Sequence, residues 1–258
     1  MLGRLRLVLM VHVALAVGAA LVALAFCLST FERWLVRRAG HELLWSVALA
    51  MFSLAAFAMA AGAAMAWSPA TFRLFYLFGA IANVPFLAAG TVALLGGRRW
   101  GNPTTWVVAL FAAFAAGVMA TVPLTHALPR HELAQGSHVL GVLPRVLAAV
   151  ASGGGALVVF GGAAYSAVRR RADRRLMLGN VLIAGGTALL GASGLLNSVF
   201  DAMTGFAVTL VVGISVLFTG FLVASGPLRR RRPTLSLVTA TRGGAAFPPD
   251  RAGGHQRR

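Results

Sequence analysis

Lysine is absent from this chain, and among its 258 residues only six are acidic and one is a cysteine. Without lysine there is no Schiff-base former, which excludes a retinal protein. A single thiol, Cys27, excludes an intrachain disulfide framework, and its place near the end of an apolar run makes it a small packing residue. No Asp or Glu falls inside any long apolar run, which removes proton transfer along intramembrane carboxylates and proteolysis by paired aspartates. No phosphate-binding or dinucleotide fingerprint occurs, because the glycine runs lie inside apolar segments and do not follow a strand.

What the chain does have is apolar length. Hydrophobic residues make up 59% and charged residues 11%, against roughly 45–50% and about 25% in soluble domains. Seven apolar runs, at 7–29, 43–66, 74–96, 105–124, 146–168, 176–199 and 205–225, are each long enough to cross a bilayer as a helix. His12 is the one ionisable side chain within them. The expected fold is all-α, a polytopic membrane bundle of seven transmembrane helices over residues 1–225, followed by a disordered basic cytoplasmic tail at 226–258.

The formal charge of +17 does not point to nucleic acid, because the arginines flank apolar runs and do not line one face of a domain. With seven crossings, 18 arginines fall on one side and 5 on the other. The positive-inside rule then puts the N-terminus outside and the C-terminus in the cytoplasm. Trp45, Trp100 and Trp106 would anchor the inner boundary and Trp67 the outer one. The inner arginine clusters would meet anionic lipid head groups. Arg4 and Arg6 before an apolar run resemble a secretory leader, but the run is long and no small-x-small site precedes Ser29, so the first helix is retained.

Glycine is concentrated in the last three spans, which predicts that helices five to seven pack most tightly. In span three, Pro85 frees the carbonyl of Ile81 beside Asn83, so a kink and a buried polar point are expected there. His126, His131, Glu132 and His138 share the long outer connection at 125–145, whose breakers are Pro129, Gly136, Gly141 and Pro144. Their spacing fits no helical zinc motif, and they read as solvated loop residues. A lone His12 lacks the second axial histidine that a haem bundle uses. By depth, His12, Asn83, Ser152, Ser193, Asn197 and Asp201 form a candidate polar pocket; its plainer alternative is interhelical bonding and capping, with Asp201 as an N-cap. No catalytic, cofactor-binding or metal-binding residue can be named, and no cofactor is expected.

Two stretches, WSPATFRLFYLFGAIANVPFLAAGTVALL at 67–95 and PRVLAAVASGGGALVVFGGAAYSA at 144–167, resemble segments of uncharacterised multi-pass membrane proteins of GC-rich actinobacteria. The resemblance implies a bacterial inner-membrane location and no particular activity. The function expected from the sequence is that of a non-enzymatic integral membrane protein with a binding, structural or partner-subunit role. The alternatives are a facilitator for a small neutral solute, organised as three, one and three helices, and a sensor signalling through its basic inner loops and tail.

Overall fold

Apolar runs in lipid leave a backbone no hydrogen-bond partner but itself, and a helix is the local solution. The computed structural model describes residues 2–125, 128, 136–169, 172–199 and 203–225, and these contain helices and no strand. In chain order they are α1 (Leu2–Arg37), α2 (Gly40–Met65) and α3 (Pro69–Tyr76), a π-helical turn (Leu77–Ala82), α4 (Asn83–Thr121), α5 (Gly136–Val139), α6 (Val142–Arg169), α7 (Arg174–Val199) and α8 (Met203–Ser225). Five helical stretches are long and apolar enough to cross a membrane: Met10–Arg37, Gly40–Met65, Pro69–Thr121, Val142–Arg169 and Ala207–Ala224.

The third of these, 53 residues long, joins two stretches expected as separate spans. Gly97 breaks it with φ 65° and ψ −162°, a left-handed backbone that glycine adopts without strain. The chain folds back there. Gly101 packs against Ala93, so that a Cβ at Gly101 would lie 2.7 Å from that of Ala93. At the far end Arg73 reaches the carbonyls of Ala120 and Val122. Both halves therefore run side by side in opposite directions.

Direction alternates through the other pairs as well. Between α1 and α2, Cys27 Sγ donates to the Ser46 carbonyl (3.3 Å) and Ser53 Oγ to that of Ala20 (3.0 Å), an antiparallel register. Trp45 of α2 donates from Nε1 to the Leu87 carbonyl of α4 (3.2 Å). Ser152 and Gly155 of α6 meet Ala80 and Val84, and Gly162 meets Thr91, which makes α6 parallel to that segment. In α7 and α8, Gly179 lies against Ala224, Gly186 against Leu217 and Leu190 against Gly213. Every step down one helix is matched by a step up the other.

Those registers gather Arg33, Arg37, Arg98, Arg99, Arg169 and Arg175 at one end of the bundle and Trp67, Arg73 and Arg145 at the other. Two buried clusters fill the interior. One, toward the Trp67 end, includes Ala16, Met59, Phe72, Tyr76, Ile81, Met119, Val139 and Ala148. The other, toward the Arg33 end, includes Ala23, Phe26, Leu49, Leu217 and Phe221, with the Phe26 and Phe218 rings stacked at 4.8 Å.

Several sequence-based expectations need correction. Trp67 is no interfacial anchor; it is 7% exposed and packed over Gly62 beside Phe72 and Phe75. Trp45 is likewise a packing residue, edge-on to Phe221 and against Gly90. Trp100 and Trp106 do remain on the surface. Of the expected cluster of spans five to seven, the described glycines join α7 closely to α8, while those of α6 that pack closely meet the first half of α4. In α6, Gly153, Gly154 and Gly161 face open space, whereas Gly155 and Gly162 receive Val84 and Thr91. Part of the long connection also folds inward: α5 ends in buried Val139, whose carbonyl accepts from both N and Oγ1 of Thr125. The proposed tail at 226–258 lies outside the described residues.

Candidate functional site

Two groups of buried polar atoms stand out, one at mid-bundle and one at the arginine-rich end. At mid-bundle, proline at position 85 cannot donate its backbone hydrogen bond, and the preceding turn widens into the π-helix Leu77–Ala82. The sequence led to the expectation of a kink here, and the structure has a wider turn. Ser152 Oγ of α6 donates to the Ala80 carbonyl within it at 2.6 Å. One turn on, Gly155 brings the α6 backbone close to Val84, where a Cβ would lie 3.1 Å from the Val84 carbonyl oxygen. Asn83 sits between these contacts in sequence. It is 3% exposed, and its Oδ1 is buried with no hydrogen-bond partner.

Of the residues expected to share a polar pocket, Asn83 and Ser152 thus come to the same turn of the bundle. His12 is half-buried on α1, next to Val13, which packs in the Trp67-end cluster, and it makes an interaction of its own. Ser193 and Asn197 belong to α7, but their side chains, like the whole of Asp201, lie outside the described residues. So do His126, His131 and Glu132, and the side chain of His138. Among the described residues no three metal-ligating side chains converge.

Asn83 offers a direct test. An acceptor buried without a donor costs about 1–3 kcal/mol, and leucine has a similar size without that cost. Asn83→Leu is expected to raise the thermal unfolding midpoint of the detergent-solubilised protein. A lowered midpoint would mean that the amide holds the bundle together.

The second group was not legible as a site in the sequence. Glu42 looks like a loop residue just before the second span, yet α1 runs to Arg37 and α2 begins at Gly40, so only Arg38 and Ala39 connect them. Glu42 falls in the first turn of α2, where a carboxylate favours the helix N-terminus, and it is 3% exposed. Its Oε1 lies 3.7 Å from Arg37 Nη1, an ion pair, while Oε2 is buried without a hydrogen-bond partner. Arg33, one helical turn before Arg37, is 4% exposed and within electrostatic range of Glu42. Its guanidinium stacks over the Phe221 ring at 5.2 Å. Arg175 Nε meanwhile donates to the Val223 carbonyl at 2.8 Å. Four helices, α1, α2, α7 and α8, therefore meet at this charged cluster. Glu32, Arg33, Arg37 and Glu42, which lie outside the expected spans at 7–29 and 43–66, are all helical because α1 and α2 extend beyond those spans.

Polar side chains elsewhere between the helices share one role with Ser152. Cys27, Trp45, Ser53 and Ser152 each donate to a backbone carbonyl on another helix. No protein-family model matches the chain, and no curated protein or solved structure is similar enough to count as a match.

Proposed function

We propose that this chain is an integral protein of a bacterial inner membrane with seven crossings, its N-terminus outside and its C-terminus in the cytoplasm, serving a non-enzymatic binding or partner-subunit role. The count of seven is supported by two registers. The stretch Pro69–Thr121 reverses at Gly97 and so passes twice through the same thickness. α7 lies antiparallel along α8 from Gly179 to Leu190, so it spans the depth that α8 spans. The orientation is supported by the gathering of arginines at one end of the bundle. A binding or structural role is favoured by one observation above others: Cys27, Trp45, Ser53 and Ser152 spend their donors on backbone carbonyls of neighbouring helices.

The topology can be measured by single-cysteine labelling in a Cys27→Ala background. Ser68→Cys is expected to react with a membrane-impermeant maleimide in intact cells, and Arg99→Cys and Asp173→Cys only after lysis. The opposite pattern would overturn the orientation, and labelling of Arg99→Cys and Ser68→Cys from the same side would overturn the double crossing.

A second reading, a facilitator for a small neutral solute, is favoured by the order of the helices. α1, α2, α3 with the first half of α4, α6, α7 and α8 pack in sequence, and α8 returns to α1. The second half of α4 stays on the periphery, with Trp106 71% exposed and Phe114 also on the surface. That is a three, one and three arrangement, with the unpartnered Asn83 oxygen as a candidate solute contact. Solute flux into proteoliposomes that Asn83→Leu abolishes would support this reading, and flux unchanged by that substitution would remove Asn83 from it.

A further inference from the structure

α3 and the last turns of α4 run antiparallel without closing on each other. Between them lies an open groove of about 370 Å³, lined by Ala70, Leu74, Leu77, Phe78, Ala116 and Met119, with Arg73 and Ala120 at its rim. Small side chains at 70, 116 and 120 leave the space. From Ala70 to Phe78 the helical rise makes it about 12 Å long, which gives a mean cross-section of about 30 Å², room for a single hydrocarbon chain.

Arg73 sets the chemistry of one end. Its Nη1 donates to the Ala120 carbonyl and its Nη2 to that of Val122, both at 2.9 Å, satisfying acceptors that the end of α4 leaves open. Each of those nitrogens keeps a second N–H. Among the described residues no carboxylate lies within ion-pair distance of Arg73. The adjoining face of α4 exposes Leu110 and Phe114, and α3 exposes Leu74, so the groove opens onto the surface that lipid would cover.

We infer that this groove holds one acyl chain of an anionic phospholipid, with the phosphodiester of that lipid on the Arg73 guanidinium. The inference rests on the membrane reading above and adds to it a lipid site at the bundle end opposite the arginine cluster. An apolar channel that begins at a guanidinium with free N–H groups and no countercharge among the described residues matches a molecule with a phosphate joined to a hydrocarbon chain, and guanidinium groups pair well with phosphate oxygens. The pairing is stronger at the edge of a hydrocarbon layer than in water.

The test is photo-cross-linking in vesicles that contain either phosphatidylglycerol or phosphatidylcholine carrying a diazirine in the acyl chain, with labelled peptides mapped by mass spectrometry. The phosphatidylglycerol probe should label residues 70–78 and 116–120 at least fivefold more than the phosphatidylcholine probe. Arg73→Gln should erase that preference. Because this substitution also removes bonds between α3 and α4, Ala116→Phe provides the independent check. It fills the groove from a lipid-facing position and should reduce labelling by either probe at least fivefold while the unfolding midpoint stays unchanged. Equal labelling by the two probes, or full labelling of Ala116→Phe, overturns the site. Failure of Ser68→Cys to react from outside would strike the orientation instead, and the groove would stand or fall by its own labelling.

Discussion

Glu42→Ala is expected to cost about 3 kcal/mol of stability, because it removes a buried carboxylate that pairs with Arg37 and lies within electrostatic range of Arg33. Arg33 is nearly as buried as Glu42, with its guanidinium over the Phe221 ring. In a chain of this size such a loss corresponds to a fall of roughly 6–12 °C in the unfolding midpoint. Scanning fluorimetry of the detergent-solubilised protein, with size-exclusion chromatography to follow aggregation, would measure it. The double variant Arg33→Met/Glu42→Leu should recover most of the lost stability, since a buried pair replaced by apolar residues of similar volume is often neutral. Arg37→Ala should change the midpoint little, because the Arg37 side chain is half-exposed and its ion pair with Glu42 is long. A double variant no more stable than Glu42→Ala would show that the cluster acts through something other than charge balance.

Gly186→Leu is expected to destabilise the protein by about 3 kcal/mol, the upper part of the range for overpacking. A Cβ at Gly186 would lie 2.6 Å from the Leu217 nitrogen and 2.9 Å from the Gly213 oxygen. These are backbone atoms, so α7 and α8 would have to move apart as whole helices. The neighbouring Gly185→Leu supplies the control: nothing lies within 4 Å of a Cβ there, and the residue is exposed. It should leave the midpoint within about 0.5 kcal/mol of the parent. Equal effects at the two positions would refute the close backbone packing of α7 on α8.

Helices and their breaks were largely legible in the sequence, because apolar length and an absence of charge translate directly into helical stretches. α2, α6, α7 and α8 begin and end within a few residues of the expected spans. Pro85 announced the distortion before Asn83, although not that it would be a π-turn. What composition could not give was the direction in which each small residue faces. Gly155 and Gly154 are neighbours in a run of glycines, yet one receives Val84 and the other faces open space. Only the rotation of α6 against its partners separates them. Trp67 misled for a related reason: a tryptophan beside an expected boundary suits an interface, but Gly62 on the preceding turn clears a slot for its indole.

The polar site was half legible. Asn83 and Ser152 stood out as polar residues in apolar runs, and both prove to belong to the same turn of the bundle. Glu42 was overlooked because it sits just outside an apolar run. The expected connection at 30–42 left it in a loop, whereas α1 runs on to Arg37 and α2 starts at Gly40, which puts Glu42 inside a helical turn.

That same joint carries a further consequence. Arg38 has φ 53°, a conformation that costs an L-residue about 1–2 kcal/mol and that glycine commonly supplies just past a helix end. Its amide closes α1 by donating to the Trp34 carbonyl at 2.7 Å, and its guanidinium lies 4.9 Å from the centre of the Trp34 ring. Glycine would relieve the backbone at this joint but would take the cation away from the Trp34 ring. The ease of the α1–α2 elbow and the charge that covers Trp34 are thus opposed at one residue, and the arginine there keeps the charge.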